Sequence, residues 1–442
     1  MRESLVGFLE EARKAGRISQ WRVRGERRRQ LELYYAGTRL EARRTVARET
    51  FDLEVLRDQE DGTRGHAKVR LTPGSSRWRE LLEALVDMAR SRNPAWSFPG
   101  PAEHAPDNRH CFDARIAGAP GAAMVELSGR WLEACRSLAA RSLVPGHVEL
   151  FLGHSEESVS TSAGLDVRTE STDFYLEGSV TTAEHERFFL RHGCFLEDVK
   201  LEEQVERAAK ELLELPAAVL VPQGQYRVLL HANAVAQLFR AATFDLQSES
   251  VHHGISRLKT GERFGPEGVT VRANSPIRGL GRSALDEEGV ALRPFDVVRE
   301  GRVVALATTT KYATLTGFPW TGGMRSIHVE GGTRSREELL RSALKDGPVL
   351  EVLDFSNLLP DNESKDFSGE LRLGYLHRGG ERLLVRGGSV GGNAVTVLAD
   401  AELASERASD YGNPAMSELP YHGPAYALLP AMACSGAQGS GS

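Results

Sequence analysis

Residues 228–239 read Val-Leu-Leu-His-Ala-Asn-Ala-Val-Ala-Gln-Leu-Phe. The apolar run before His231 is typical of a buried strand, and the residues after it have the periodicity of an amphipathic helix. A catalytic zinc ion on such a helix takes about three protein ligands and a water that a nearby base deprotonates. Ala232 and Ala236, one and five positions after His231, can supply neither ligand nor base. The stretch therefore predicts a strand and helix that could carry a zinc site but lack its chemistry.

The helix itself supports the same interpretation. Residues five apart on a regular helix point about 140° apart, so a pair at that spacing binds one ion only if the helix is distorted. Nothing at Ala236 would offset that strain. The predicted core face consists of Val235, Leu238, Phe239, Ala242 and Leu246, so we expect this helix to be structural.

Length and composition indicate a soluble globular protein of about two domains. The chain has 442 residues, of which 40% are hydrophobic and 26% charged, and a net charge of -6. Such a charge does not favour a general role in nucleic-acid binding. Residues 1–100 are nevertheless basic, with 21 Lys and Arg against 15 Asp and Glu. Because strand-like alternation surrounds the arginines at residues 22–29, we interpret them as a solvated sheet face.

Cysteine usage and the N-terminus predict a cytoplasmic protein. The four cysteines lie far apart in the sequence, without a Cys-x-x-Cys pair: Cys111, Cys135, Cys194 and Cys434. This favours free thiols in a reducing compartment. The N-terminal segment has the spacing of an amphipathic helix without a signal-peptide core. No run of about 18 apolar residues is present, so we expect no membrane span.

The secondary-structure pattern predicts an α+β fold, with a mixed α/β N-terminal domain and a β-rich C-terminal domain. Residues 1–92 read as helix, strands and helix, with Ser75 or Ser76 capping the second helix. The other predicted regions are a Pro/Gly-rich connection at 93–123, a middle α/β region at 124–220 that completes the N-terminal domain, the β-rich domain at 221–435 and a disordered tail at 436–442. Within the middle region we expect strands at 147–152, 157–162 and 166–180 and a helix at 201–215.

Several short motifs follow one another in the second half of the chain. They are the segments at residues 225–230, 281–290, 310–317, 329–332, 335–340, 365–369 and 386–393. In this order the sequence resembles the TldD/TldE (PmbA) family of zinc metallopeptidases. The resemblance extends over most of the chain, including its basic N-terminal part.

The resemblance implies a particular subunit type. In that family, TldD-like chains carry His-Glu-x-x-x-His on this helix and a later cysteine ligand, whereas TldE-like chains lack the motif. The two types form a heterodimer that cleaves peptides, including ribosomally made antibiotic precursors. Here only His231 matches, with Ala232 and Ala236 in the other two positions, and Cys434 is too near the C-terminus to resemble the cysteine ligand. The resemblance therefore implies a TldE-like subunit without a metal or cofactor, whose TldD-like partner holds the zinc.

Two alternatives remain open. Residues 387–391 match Gly-x-Ser-x-Gly, so Ser389 is a candidate nucleophile for a stand-alone hydrolase. A homodimeric binding or scaffold protein is the other alternative. Candidate metal-binding clusters are His252 with His253, residues 184–186 with His192, and the acidic segment 286–289. We interpret the last as an acidic turn in which Gly289 has positive φ.

Candidate interface residues follow from exposed aromatic and apolar segments. Phe318, Trp320 and Met324 flank a Gly-Gly pair, and Asp366, Phe367 and Ser368 belong to one of the family motifs. We predict that these six residues contact the partner or line a cavity for the peptide substrate. The apolar segment 421–432 is a further interface candidate.

Overall fold

The computed structural model describes residues 1–74 and 76–436. Their helices are α1 (Arg2–Lys14), α2 (Trp78–Met88), α3 (Ala114–Gly118), α4 (Pro120–Ala139), α5 (Leu201–Glu214), α6 (Ala232–Thr243), α7 (Ser248–His252), α8 (Thr310–Thr316), α9 (Arg336–Ala343) and α10 (Ala394–Ala399). The first strands are β1 (Gln20–Ala36), β2 (Arg39–Asp58), β3 (Arg64–Leu71), β4 (Val144–Thr161), β5 (Asp166–Thr181), β6 (Glu186–Gly193), β7 (Val219–Leu220), β8 (Gly224–His231), β9 (Thr270–Ala273) and β10 (Phe295–Arg299). The remaining strands are β11 (Arg302–Val303), β12 (Ile327–Glu330), β13 (Val349–Leu358), β14 (Asp366–Arg378), β15 (Glu381–Arg386), β16 (Ser389–Asn393), β17 (Glu402–Leu403), β18 (Arg407–Asp410), β19 (Tyr421–Pro424) and β20 (Tyr426–Cys434). The fold is α+β, as the sequence predicts.

The N-terminal domain is built on one antiparallel sheet in the order β3-β2-β1-β4-β5-β6. Strands β1, β2, β4 and β5 have 16 to 20 residues, well above the typical strand length of about 5–6. The sheet is therefore long enough to carry two separate apolar cores. One contains Leu5, Leu53 and Leu82 with α1 and α2, and the other contains Trp131 and Leu176 with α4 and α5.

Between these two cores the sheet is polar. Buried and exposed residues alternate along β1 up to Glu26, and residues 27–30 are then exposed or half-buried. Arg22 pairs with Glu54 at 2.7 Å, and Arg24 pairs with Glu157. The prediction of a solvated face therefore holds only for Arg27 and Arg29, which are exposed, because the other arginines of this stretch are half-buried and ion-paired to carboxylates on other strands of the sheet.

The C-terminal domain contains two sheets around one large apolar core. A six-stranded sheet has the order β11-β10-β9-β12-β19-β18, and an eight-stranded sheet has the order β13-β8-β20-β16-β14-β15-β7 with β17 on β20. Helix α6 contributes Val235, Leu238 and Phe239 to the core, as its periodicity predicts. The ring of Phe239 stacks on Tyr421 with centroids 5.8 Å apart.

Strand β8 lies in the middle of the eight-stranded sheet and leads directly into α6. It pairs in parallel with β13, from Arg227 opposite Val349 to Leu230 opposite Val352. On its other side it pairs antiparallel with β20, where His231 is opposite Tyr426. His231 therefore lies at the end of a strand that is hydrogen-bonded to neighbouring strands on both sides.

The structure differs from the sequence prediction in several elements. The connection at 93–123 is not entirely extended, because it contains α3 and the first turn of α4. The strands expected at 147–152 and 157–162 are one continuous strand, β4, and β6 was not predicted. Arg77, rather than Ser76, precedes α2, and the Arg77 side chain does not cap this helix. Ser75 and the tail beyond Gly436 lie outside the described residues.

The two domains meet through the segment 278–290 of the C-terminal domain. Ser283 donates a hydrogen bond to Glu157 of β4 at 3.0 Å, and Arg24 of β1 donates to the carbonyl of Glu287 at 3.1 Å. Gly289 has φ +89°, and a Cβ atom there would lie 2.6 Å from Val159. Only glycine satisfies both this backbone conformation and this close approach. The segment is thus locked against the polar middle of the N-terminal sheet.

Among the described helices, none is long and apolar enough to cross a membrane. All four cysteines are buried and unpaired, as their spacing predicts. Burial raises the pKa of the Cys111 thiol to about 12 and that of Cys135 to about 11. The thiolate forms needed for nucleophilic attack or metal binding are therefore disfavoured at these two positions.

Candidate functional site

His231 occupies the last position of β8, immediately before α6. Its backbone is extended, and its side chain does not cap the helix. Instead, its Nε2 atom lies 2.8 Å from Oε1 of Glu351, and its ring meets Tyr426 edge-on with centroids 4.9 Å apart. The imidazole is thus held by the neighbouring strands, because β13 and β20 both lie beside β8.

Glu351 organises a buried polar cluster around His231. It is completely buried, and its other carboxylate oxygen lies 2.8 Å from Nε2 of His377. Arg336 donates to it through Nε at 3.0 Å. Burial alone would raise the pKa of Glu351, but the hydrogen bonds from His231, His377 and Arg336 hold it well below its usual range. A charged carboxylate is therefore stable inside the sheet because it has three partners.

The sequence contains one signal that could have located this cluster. Glu351 stands alone in an apolar run, Val349-Leu350-Glu351-Val352-Leu353. A single carboxylate in such a run indicates a buried and paired charge, since unpaired acids are almost never fully buried. The identity of its partners could not be predicted, because His231 and Arg336 come from separate elements.

The two alanines occupy different environments. Ala236 is completely buried and belongs to the large core, whereas Ala232 is half-buried at the start of α6. Neither side chain can coordinate a metal or accept a proton. Since the single remaining imidazole is bonded to Glu351, the donors present do not fit a catalytic zinc ion at this helix. Within residues 1–74 and 76–436, no group of three or more His, Cys, Asp or Glu side chains is arranged to hold a metal.

Cys434 lies far from His231. In the pairing of β20 with β8 it is opposite Gly224, whereas His231 is opposite Tyr426. Seven residues of strand separate the two positions, which corresponds to about 23 Å. The register therefore rules out a metal ion shared by these two side chains.

The purified chain is expected to hold no stoichiometric zinc. Elemental analysis after purification in metal-free buffer should find far less than one zinc per chain, and the His231→Ala variant should not differ. About one tightly held zinc per chain that is lost in His231→Ala would contradict this prediction.

A cleft of about 520 Å³ opens between the domains beside α6. Its walls are formed by Asn233 and Gln237 of α6 and by three segments, at 190–193 of β6, 352–358 of β13 and 409–413. We call it the interdomain cleft. Asn233 is exposed and Gln237 is half-buried at this cleft, whereas Ala236 is buried in the core.

Two unpaired strand edges face the interdomain cleft. β6 is the last strand of the N-terminal sheet and pairs only with β5. β13 pairs with β8 only as far as Val352, because the chain then enters α6, so residues 353–358 pair only with β14. Arg187 of β6 and Asp354 of β13 form an ion pair at 3.1 Å that links the two strands. Unpaired backbone groups of this kind can bind an extended peptide by strand addition.

The six predicted interface residues are not brought together. Trp320 is 42% exposed and lines an apolar groove of about 350 Å³ beside residues 99–104. Phe318 is half-buried against the large core, and Met324 is buried in it. Phe367 is likewise buried in that core, whereas Asp366 and Ser368 are exposed at the start of β14. None of these residues lines the interdomain cleft.

The apolar segment 421–432 is not an exposed interface. It forms β19 and most of β20, and Tyr421, Leu428 and Leu429 are completely buried. The expectation was wrong because an apolar run of this length has the same composition in a central strand as at an interface. Pairing of β20 with both β8 and β16 places it inside the sheet.

Ser389 begins strand β16, so it does not occupy the strand-to-helix turn of a nucleophile elbow. Its hydroxyl pairs with the hydroxyl of Ser435 at 2.9 Å. Among the described residues, no histidine lines the surface groove of about 790 Å³ that contains it. The geometry supplies no general base for this serine.

We expect Ser389→Ala to leave the peptidase activity of an assembled complex nearly unchanged. The hydroxyl contacts only another hydroxyl, so its loss removes one weak hydrogen bond at the surface. Loss of a catalytic nucleophile would instead reduce activity at least about a thousandfold. A loss of that size in steady-state peptide cleavage would make the hydrolase alternative the leading one.

The remaining candidate clusters have structural roles. Asp286 accepts hydrogen bonds from the backbone of Glu288 and Val290, and Glu288 accepts from the first backbone amides of α8, so this segment is an acidic turn. The rings of His252 and His253 both pack against Tyr312. His185 lies in a backbone turn with Thr182, apart from the half-buried His192.

Comparison with known proteins finds one matching domain family and several solved structures with the same fold. Residues 223–436 match the family model of the PmbA/TldA metallopeptidase C-terminal domain. The whole chain has the fold of TldE from Thermococcus kodakarensis, with a TM-score of 0.77, 18% identity and coverage of 97% of this chain and 99% of that chain. None of the curated protein sequences matches.

Two further structures have the same fold. One is a protein of Thermotoga maritima described as a modulator of a DNA gyrase, with a TM-score of 0.78, 18% identity and coverage of 98% and 100%. The other is a Bacteroides thetaiotaomicron protein described in similar words, with a TM-score of 0.77, 15% identity and coverage of 98% of both chains. Over residues 223–436 the chain matches a metallopeptidase C-terminal domain, and over nearly its whole length it shares the fold of these structures. Its resemblance to the TldD/TldE family is confirmed, and its residues 223–436 belong to the PmbA/TldA metallopeptidase C-terminal domains.

Proposed function

We propose that this chain is a non-catalytic, TldE-like subunit of a heteromeric zinc metallopeptidase in the cytoplasm. Its role is to close the cavity around the zinc site of a TldD-like partner and to help hold a small or unfolded peptide. Ribosomally made antibiotic precursors are among the substrates that the resemblance suggests. The observation that carries this proposal is the retained helix α6, in which one motif position is a core alanine and the remaining histidine is bonded to Glu351.

The interdomain cleft supports the peptide-holding part of the proposal. Two unpaired strand edges and the polar side chains of Asn233 and Gln237 face the same space. Strand addition recognises the backbone of a peptide, so it suits substrates of varied sequence. Because a folded protein does not offer a free extended segment, such a cleft selects unfolded chains.

Trp320 is the best candidate for a partner contact. It is the one exposed residue among the aromatic and Met positions predicted at the interface, and its groove is lined by Pro99, Pro101, Leu165, Val290 and Ala313 among others. Exposed tryptophans in apolar grooves are typical energetic centres of interfaces. The groove spans both the 99–104 connection and the C-terminal domain, so a partner bound there would also fix the domain arrangement.

Co-purification with a TldD-like partner tests the proposal. We expect the wild-type pair to elute as one complex in size-exclusion chromatography and to cleave peptides much faster than the partner alone. Trp320→Glu should weaken binding by roughly 2–4 kcal/mol, which is about 30- to 1,000-fold in Kd. Val125→Glu, which alters an exposed apolar residue on α4, is the matched control and should bind normally.

Other outcomes would overturn the proposal. If the pair fails to associate, or if the partner alone is fully active, the subunit role is lost. A stable homodimer of this chain that excludes the partner would favour the binding or scaffold alternative.

A further inference from the structure

A second cavity, of about 440 Å³, lies between the polar middle of the N-terminal sheet and the loops of the C-terminal domain. We call it the arginine cavity, because its lining includes Arg24, Arg28, Arg282 and Arg325. It adjoins the interdomain cleft, since His192, Tyr411 and Asn413 line both. A ligand that extends from the cleft can therefore reach it.

Two of the four arginines are neutralised by carboxylates of the same sheet. Arg28 donates to Asp173 through Nη2 at 2.7 Å, and Arg24 pairs with Glu157. β1 also contributes Glu26 to the lining, and this carboxylate lies 3.9 Å from Arg48 of β2. Arg282 and Arg325, the two lining arginines of the C-terminal domain, do not take part in these pairs.

Arg282 has no acidic partner. Its Nη2 atom donates to the carbonyl oxygen of Tyr411 at 2.5 Å, and its guanidinium lies 4.9 Å from the centroid of that ring. Its Nε atom is buried without a hydrogen-bond partner. Within the described part of the chain, no carboxylate lies within 4 Å of Arg282. Burial, together with the nearby Arg240 and Arg325, lowers its pKa.

Arg325 and His192 are also unpartnered. Among residues 1–74 and 76–436, the Arg325 side chain makes no hydrogen bond or ion pair, although its backbone donates to Asn274. The Nε2 atom of His192 is buried without a partner. Burial and then the charge of Arg282 lower the pKa of His192. Two guanidinium groups and one imidazole thus face one cavity, and within the described residues no carboxylate forms an ion pair with them.

The neighbouring acids do not supply that counter-ion. Asp410 and Glu418 are occupied by Arg240, at 2.6 and 3.6 Å. Glu287 lies near Arg325 but beyond ion-pair distance, and burial followed by the charge of Asp286 raises its pKa to about 7. Burial therefore disfavours the charged form of Glu287. An uncompensated, partly buried guanidinium is costly, and an anion in the cavity would remove that cost.

We propose that the arginine cavity binds a carboxylate group, and that in the assembled enzyme this group belongs to the bound peptide, as an acidic side chain or the C-terminus. The assignment of this group to a bound peptide rests on the proposed function, whereas the carboxylate site itself concerns this chain alone. Arginine suits the role because its planar guanidinium donates two parallel hydrogen bonds to a carboxylate. Peptides held in the interdomain cleft would then be selected for an acidic group at the position nearest Tyr411.

The carboxylate site is tested on the full chain without a peptide. We expect N-acetyl-L-glutamate to raise the Tm saturably by about 2–4 °C at roughly ten times its Kd, with no effect of N-acetyl-L-glutamine. Arg325→Gln should abolish the shift, and Arg325→Lys should retain part of it. The Arg325 side chain makes no internal hydrogen bond in the described residues, so neither variant should lower the Tm without ligand, and Arg325→Gln, which removes the uncompensated charge, should equal or exceed the wild-type Tm. Arg257→Gln, at an exposed position outside the cavity, is the control.

Absence of a saturable shift, or an equal shift in Arg325→Gln, would overturn the carboxylate site. A larger shift with inorganic phosphate than with N-acetyl-L-glutamate would also overturn it, in favour of a phosphate ligand.

A peptide experiment separates this inference from the proposed function. Fluorescence anisotropy would compare two labelled, C-terminally amidated peptides that differ by one Glu or Gln, using the assembled complex. We expect at least about tenfold tighter binding of the Glu peptide, which falls to equality in Arg325→Gln. Equal binding of both peptides to the wild type would overturn the inference and leave the peptide-holding role standing. If neither peptide binds while the Tm shift is present, the peptide-holding role fails. The carboxylate site then stands, but its carboxylate comes from a molecule other than a peptide substrate.

Discussion

The Glu351→Ala variant is expected to unfold with a free energy about 3–5 kcal/mol below that of the wild type. Glu351 is completely buried and accepts hydrogen bonds from His231, His377 and Arg336. Its removal leaves these three groups without their shared acceptor in the middle of the sheet. Urea unfolding followed by circular dichroism would measure the change.

Two comparison variants isolate the cause. Glu351→Gln keeps the side-chain volume but loses the charge. Its unfolding free energy should therefore lie between those of Glu351→Ala and the wild type. Glu363→Ala removes a carboxylate that is exposed, and its effect should stay within about 0.5 kcal/mol. A loss below about 1 kcal/mol in Glu351→Ala would show that the carboxylate does not organise the cluster.

The same carboxylate predicts a direction of pH dependence. Its pKa is lower in the folded chain than its ordinary value of 4.5, so the unfolded chain binds more protons below that pH. The stability that it contributes is therefore fully present above about pH 4.5 and is lost as the pH falls toward the folded pKa. We expect the difference in unfolding free energy between wild type and Glu351→Gln to shrink over this acidic range.

The Ala236→His variant is expected to lose about 2–6 kcal/mol of stability and to gain no zinc site. Ala236 is completely buried in the large core, where overpacking costs roughly 1–3 kcal/mol. A buried imidazole without a hydrogen-bond partner adds roughly another 1–3 kcal/mol. Thermal unfolding with and without zinc would measure both effects.

Ala232→Glu is the matched control at the other motif position. Ala232 is half-buried at the N-terminus of α6, where a negative charge interacts favourably with the helix dipole. Its stability should stay within about 0.5–1 kcal/mol of the wild type. Tight zinc binding by the double variant Ala232→Glu/Ala236→His, with a rise in Tm, would contradict our view that the helix cannot host the ion.

Much of the fold could be predicted from local periodicity. The spacing of apolar residues located α1, α5 and α6 to within a few residues, because amphipathic helices carry their signal in consecutive turns. The errors concern elements without such a signal. β6 is short and is preceded by a charged turn, and α3 has only five residues. Strand β4 was divided in the prediction because polar residues interrupt it where the sheet passes between its two cores.

The candidate site was only partly predictable. The sequence identified His231 as the remaining motif position and indicated that Ala232 and Ala236 cannot act. It also suggested Trp320, which is exposed. It could not separate Met324, Phe367 and the segment 421–432, which are buried in the large core, from true surface residues. Apolar composition is the same in both settings, and only the packing partners distinguish them.

The sequence by itself determined the family resemblance and the absence of ligands on α6, since both depend on residue identity at fixed spacing along the chain. Only the tertiary structure decided what the remaining groups do. Glu351 reaches His231 because β13 lies beside β8, and Arg282 faces the arginine cavity because the 278–290 loop docks on the N-terminal sheet. These contacts join residues 120 or more positions apart. Such separations are set by sheet register and domain packing, which no local pattern encodes.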